Sequence, residues 1–296
     1  MNWLRLLLAL LFCSGVAAEP LRFAYPPPEA AGDERHSYYW DLLDAALKAN
    51  RDRFGDFEMH PYPVAMTFQR AAAEVETGKG LVNIVSRATN RDLETRLLPI
   101  RIPLDKGLLG ARMFLVMPAT QAKLERVKTL KELQEFTIGQ NPAWTDVKIL
   151  QAAGFKVELS EGYSTLFAKL AAGRFDLFSR GIIEIESEWR SNRDERPGLS
   201  IEKRFLLHYP MPRYFFVPRT AEGARMAERI EDGLLRLRRS GEFDRRFKKW
   251  KQLVLKDLQL NGRIVFRLAN PELGPETPLA DKFWWDDLSA ELGHSR

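Results

Sequence analysis

From Leu21 onward the chain alternates short apolar runs with stretches of helical period. Leu21–Tyr25 reads as a strand, stopped by Pro26, Pro27 and Pro28, because proline cannot extend a central strand. Tyr38, Tyr39, Trp40, Leu42, Leu43, Ala46 and Leu47 follow at helical spacing. Phe57–Tyr62 reads as a second strand. Thr67–Glu76 reads as a helix stopped by Gly78 and Gly80, and Leu81–Ser86 as a third strand. Strands alternating with helices predict a parallel α/β sheet.

The alternation then resumes. Ala111–Met117 is an apolar strand closed by Pro118. Further strands are expected at Phe136–Gly139, Phe155–Leu159 and Phe175–Phe178, with helices at Thr129–Leu133, Asp146–Ala153 and Ser164–Ala172. A last strand, Tyr214–Val217, and a long helix, Ala221–Arg239, need a sheet to pack on. Returning the chain to the first sheet provides one. The expected architecture is therefore α/β with two lobes: 19–116 and 213–255 form the first, and 117–212 the second. Crossings near Arg112–Met117 and Tyr209–Val217 form a hinge. Ligands commonly sit between such lobes, where strand ends and helix N-termini converge. Residues 256–296 stand apart as an extension. Phe283, Trp284 and Trp285 favour its docking on a lobe, since aromatic burial is strongly stabilising.

Residues 1–18 read as a signal peptide cleaved near Ala18. Arg5 supplies the positive start, Leu6–Phe12 the apolar core, and Val16-Ala17-Ala18 the small residues at the cut. The apolar run is too short to span a bilayer comfortably. The expected destination is the periplasm. Cys13, the single cysteine, leaves with this segment, so stability must come from packing rather than disulfides. The formal charge of +5 is interspersed with acids, which does not suit a nucleic-acid stripe. The basic run from Arg236 to Lys251 keeps Leu237, Phe243, Phe247 and Trp250 at helical spacing, which explains it as a surface helix pair.

The order of elements resembles the bacterial family-3 solute-binding proteins, a group associated with polar amino acid uptake. Gly78–Arg91 with Leu97–Ile100, Leu130–Gly139 with Asn141 and Thr145, Leu166–Asp176, and Ile230–Leu234 with Ser240–Phe243 carry the resemblance. Leu98–Gly110 and Phe175–Glu184 are similar to a transporter-substrate-binding-like branch of that group. The resemblance implies a type II periplasmic binding fold, a monomer, a small-molecule ligand and an ABC permease or membrane sensor as partner. It implies no enzymatic activity and no cofactor. Amino-acid binders of the group place an arginine three residues after a threonine; here Arg91 follows Thr89 one place early. Ser179-Arg180-Gly181 stands where their carboxylate lies.

Arg87, Arg91 and Arg180 are the candidate grips for a carboxylate or other anion, with structural ion pairs as the competing role. On the first role Arg180 stays idle without ligand, and its removal leaves the unliganded fold intact. Tyr25 and Tyr39 are candidate aromatic contacts. Ser86 and Thr89 offer hydroxyls, though helix capping also explains them. Asn141, Trp144 and Thr145 precede a helix whose amides suit an anion, with Thr145 as a plain cap the simpler reading. Glu184 is a ligand contact or the partner of Arg180. The four histidines lack metal spacing, and no nucleophile-elbow or phosphate-loop motif occurs. The expected function is binding of a small polar, carboxylate-bearing or anionic solute for uptake. A ligand-sensing or interaction protein of the envelope is the first alternative and an envelope hydrolase the second.

Overall fold

The computed structural model describes residues 20–27, 36–78 and 80–293. The signal-peptide segment, Cys13 and His294 lie outside them.

The first lobe begins with β1 (Leu21–Tyr25), α1 (Ser37–Ala49), α2 (Arg51–Phe54), β2 (Phe57–Pro61), α3 (Phe68–Thr77), β3 (Val85–Ala88), α4 (Arg91–Arg96) and β4 (Leu98–Ile100). After a 3-10 turn at Leu108–Gly110 the second lobe runs through β5 (Ala111–Val116), α5 (Pro118–Leu124), α6 (Leu130–Leu133), β6 (Thr137–Gln140), α7 (Asp146–Ala152) and β7 (Lys156–Leu159). It continues with α8 (Tyr163–Ala171), β8 (Leu177–Gly181), α9 (Ile185–Asn192), β9 (Ser200–Ile201) and β10 (Phe205–His208). The chain returns through β11 (Arg213–Val217), α10 (Ala221–Arg239) and α11 (Glu242–Leu255). The extension holds β12 (Ile264–Arg267), a 3-10 turn at Lys282–Trp284 and α12 (Ser289–Leu292).

In the first lobe β1 and β2 pair in parallel, from Leu21 opposite Phe57 to Tyr25 opposite Pro61. β11 lies antiparallel between β3 and β4. Asn83 joins the two groups. Its side-chain oxygen accepts from the Ala24 amide at 2.9 Å, its amide group donates to Arg22 O at 2.7 Å, and its backbone N–H donates to Ala24 O at 2.9 Å. In the second lobe the order is β12-β10-β5-β8-β6-β7, with β9 also on β5. β6, β7 and β8 are parallel, whereas β5 is antiparallel to β8 and β10.

Local chemistry fixes several boundaries. The Thr67 hydroxyl accepts from the Arg70 amide at the start of α3, and Gly78 ends that helix at φ 63°, a conformation glycine reaches without a Cβ penalty. Thr129 and Glu132 form a capping box on α6. The basic run is the predicted helix pair, α10 and α11, broken at Gly241. Its charges face in-chain partners: Arg236 meets Asp52 and Asp232, and Arg245 and Arg246 meet Glu242.

One buried apolar cluster runs through both lobes, from Phe23, Leu42 and Leu43 to Phe167, Phe178 and Ile182. Separate clusters cover the far face of each sheet, around Tyr214 and Phe216 in the first lobe and around Phe114 and Tyr209 in the second. Among the described residues no helix is long and apolar enough to cross a membrane.

Two expectations are corrected. β5 belongs to the second sheet, so the outward crossing is residues 101–110, not 112–117. Periodicity marks a strand but cannot say which sheet takes it. The return crossing is 209–212, and the two crossings touch: the Tyr209 amide donates to Gly110 O at 3.1 Å, and a Cβ on Gly110 would lie 1.9 Å from Tyr209 O. The extension docks on both lobes rather than one. β12 edges the second sheet, while Trp284 packs on Phe243 of α11 with ring centroids 5.2 Å apart.

α1 and α10 form the main helix contact of the first lobe, and it depends on Gly233. A Cβ there would lie 2.2 Å from Ala46 O. Backbone cannot yield as a side-chain tip can. Gly233→Ala is therefore expected to lower the free energy of chemical unfolding by about 2–3 kcal/mol; an unchanged midpoint would show that the helices separate freely.

Candidate functional site

The parallel strands of both lobes end at the seam. β3 runs into Thr89 and Asn90, and β6 into Asn141–Thr145. Asn90 Nδ2 donates to Thr145 Oγ1 at 3.3 Å, a side-chain bond from one lobe to the other. Asn90 also caps α4, accepting from the Leu93 amide at 2.8 Å.

Beneath this contact lies a layer of buried ions. Arg112 in β5 pairs with Asp146 and receives Glu184 at 3.6 Å. Tyr209 bridges that pair: its hydroxyl donates to Asp146 at 3.0 Å and accepts from Arg112 Nε at 3.1 Å. Arg180 forms a two-pronged pair with Glu188, both bonds 2.5 Å, and meets Glu184 at 3.1 Å. Its guanidinium stacks 4.5 Å above the Trp144 ring. Arg213 of β11 donates to Ser86 O at 3.0 Å and lies 4.7 Å over Tyr39, whose hydroxyl donates to Asp105 at 3.2 Å.

Burial sets the protonation of this layer. Burial alone lowers the proton affinity of Arg180, but Glu188 and Glu184 outweigh it and the net direction is upward. Arg112 behaves likewise through Asp146. Burial raises Tyr209, and the Asp146 charge adds to the rise. Asp105 is pushed up to about 6 by burial, against the opposing pull of Arg213. On the second-lobe side two guanidiniums, Arg112 and Arg180, face three carboxylates, Asp146, Glu184 and Glu188. Ser86 Oγ, Ser179 Oγ and Gln140 Oε1 are buried at these strand ends without a hydrogen-bond partner among the described residues.

The predicted residues divide accordingly. Asn141, Trp144 and Thr145 come together with Asn90 at the seam, Arg180 and Glu184 lie beneath, and Arg91 opens α4 as an exposed side chain. Arg87 lies on β3 with its guanidinium 4.3 Å over Phe68. Tyr25 stacks on Trp40 at 4.4 Å, half-buried at the end of β1. Four expectations are corrected. Tyr39 is fully buried in the first-lobe core and committed to Asp105. Thr89 is buried, with its hydroxyl donated to Glu94 and its amide to Pro212 O. Arg180 is no idle grip, because Glu188 holds it. Thr145 makes no side-chain cap on α7; its hydroxyl faces Asn90 instead. Asp105, Arg112, Asp146, Glu188 and Arg213 escaped the sequence reading. Arg112 did carry a signal, a charge inside an apolar strand, since such a charge needs a partner when buried. Among the described residues no cluster of His, Cys, Asp and Glu could hold a metal ion. Two open surface hollows, about 470 Å³ beside β7 and α8 and about 390 Å³ beside α11, lie away from the seam.

No protein-family model matches the chain, and no curated protein matches it. Solved structures do. An ancestral arginine-binding protein bound to arginine is 18% identical with a TM-score of 0.54, over 78% of this chain and 97% of its own. A Salmonella typhimurium periplasmic binding protein of high arginine specificity is 15% identical with a TM-score of 0.54, over 79% and 99%. A histidine kinase sensor domain similar to periplasmic binding proteins is 13% identical with a TM-score of 0.53, over 78% and 96%. The chain thus has the type II periplasmic binding protein fold, as the strand order and the two crossings indicate.

Removing one partner of a buried ion pair strands the other charge. Arg180→Ala is expected to destabilise the unliganded protein by about 3–5 kcal/mol in urea unfolding, the reverse of an idle ligand grip. Asp105 gives a pH signature. Its folded pKa lies above its unfolded value of 3.8, so the folded state favours the protonated form. The stabilisation is present below pH 3.8 and is lost as pH rises through about 6, by up to about 3 kcal/mol. The stability difference between wild type and Asp105→Asn should change across that window, and a flat difference would place Asp105 in a wetter site.

Proposed function

We propose that the chain is an exported binding protein that holds a small amino-acid-like solute at the seam. The observation that carries this reading is the Asn90–Thr145 contact, where the strand-end turns of both lobes bring polar groups to one point. The charge layer refines the ligand. With Arg180 and Arg112 both paired to carboxylates, a purely anionic ligand would have to compete for their guanidiniums. The carboxylate excess around Glu184 suits a cationic group, such as an ammonium or guanidinium. The exposed Arg91 across the seam suits the carboxylate end, with Trp144 as the flat wall between. The similar arginine-binding proteins support such a ligand.

In this reading the protein works in the periplasm, without enzymatic activity, and presents its ligand to an ABC permease. A sensing role is the second reading. It is favoured by the self-paired seam, which leaves the two lobes in contact through the chain's own groups, and by the similar sensor domain.

Thermal unfolding of the purified protein with arginine, lysine, glutamine, glutamate and succinate distinguishes these ligands. At a hundredfold excess over Kd a ligand raises Tm by roughly 5 °C. Arginine or lysine is expected to do so and succinate is not. Glu184→Gln should diminish the response. Silence towards every amino acid would refute the reading.

A further inference from the structure

We infer that the extension from Ile264 onward is a clamp that holds the two lobes closed across the back of the hinge. It is anchored at three places: the second lobe, the crossings and the first lobe.

On the second lobe β12 pairs in parallel with β10, and Glu272 meets Lys148 of α7 at 3.0 Å. At the crossings Asn270 donates to Pro210 O at 2.8 Å, and the Asp286 amide donates to Lys106 O at 2.8 Å. On the first lobe Asp281 pairs with Arg238 of α10, and Asp286 pairs with Lys251 of α11 at 2.8 Å. Trp284 is buried against Phe243.

The hinge contact is the most specific. Lys106 and Gly107 adopt left-handed backbone, at φ 48° and 76°, on the outward crossing. A non-glycine residue holds that conformation only where its surroundings determine it. Here the extension supplies them. The Trp285 ring lies so close to Gly107 that a Cβ there would be 2.7 Å from it. The Lys106 ammonium sits 3.9 Å over the Phe283 ring while pairing with Asp244. The segment thus grips the crossing that must turn if the lobes are to part.

Magnitudes say which contacts matter. Exposed ion pairs contribute about 0–1 kcal/mol each. A buried aromatic side chain contributes about 2–3 kcal/mol. A hinge equilibrium is typically a few kcal/mol, so docking of the Phe283–Trp285 run is large enough to decide it. Opening of the seam, whatever its ligand, then requires this run to leave the hinge.

The test measures lobe separation without ligand, so it stands apart from the identity of the solute. Exposed helix residues Ala152 and Ala224, one on each lobe, become spin-labelled cysteines in the full chain carrying Cys13→Ser. Pulsed dipolar spectroscopy is expected to show one narrow distance in this background. Adding Trp285→Ala and Asp286→Ala should broaden the distribution and shift it to longer distances. It should also speed amide exchange at Lys106 and Gly107. Asn270→Ala with Glu272→Ala, which alters only half-buried side chains at the other anchor, should broaden it in the same sense. Unchanged distances in both variants, with circular dichroism intact, would overturn the clamp. If the tryptophan variant loses its fold, the Asn270 and Glu272 variant decides alone.

Discussion

Where the two sheets meet, Arg112, Arg180 and Arg213 are taken out of water, and this constraint shapes everything around them. A buried guanidinium must keep its charge, so carboxylates or carbonyls have to stand at fixed positions beside it. Asp146, Glu184 and Glu188 meet that need in the second lobe, and Ser86 O with the Tyr39 ring does so in the first. Each partner sits on a different element: Asp146 opens α7, Glu188 lies in α9 and Tyr39 in α1. The layer therefore fixes how these helices seat on their sheets. It adds little net energy, because Coulomb attraction in a buried pair roughly repays desolvation. Adhesion comes instead from the apolar cluster shared by the lobes, and the ions set the register in which that cluster closes.

This division bears on recognition. A guanidinium already held by a two-pronged carboxylate is a poor grip for a ligand anion, since binding would have to break bonds as good as those it makes. On the proposed reading, what remains for a ligand is the layer above: the Asn90 and Thr145 side chains, the Trp144 ring and the surplus carboxylate. In the first lobe burial holds the Tyr39 hydroxyl well above its ordinary value, with a smaller upward contribution from Glu184. On that reading the three carboxylates against two guanidiniums would favour a cation on the second-lobe side.

Most of the α/β alternation was legible from period and punctuation. α10 appears with its predicted ends, and the α3 stop at Gly78 and the α6 start at Thr129 follow from capping chemistry. The partner of each strand was not legible. β5 is apolar apart from Arg112 and would suit either sheet, so its pattern alone puts the outward crossing one strand too late. The same blindness governed the site. The role of Arg180 turns on Glu188, eight residues on and carried by α9, a helix its polar sequence did not announce. Tyr39 sits at helical spacing with other core residues, and only its position over Asp105 shows why a hydroxyl is needed there. Asn90 was passed over because its capping role and its bond across the seam depend on a turn whose direction only the fold defines.

Geometry explains why the extension matters more than its length suggests. The two covalent crossings touch at Gly110 and Tyr209, so they act as a single axis about which the lobes can turn. A contact on that axis resists the rotation only through the backbone torsions it holds, as Trp285 does at Gly107. Contacts away from it add leverage, and the extension makes one on each side, at β10 in the second lobe and at α10 and α11 in the first. Between them it crosses the axis at Lys106 and Gly107, which hold left-handed backbone. Two connections make a hinge and a third, displaced from the axis, makes a frame. The ionic layer then has a lasting role, because lobes held in a frame keep their carboxylates and guanidiniums in register.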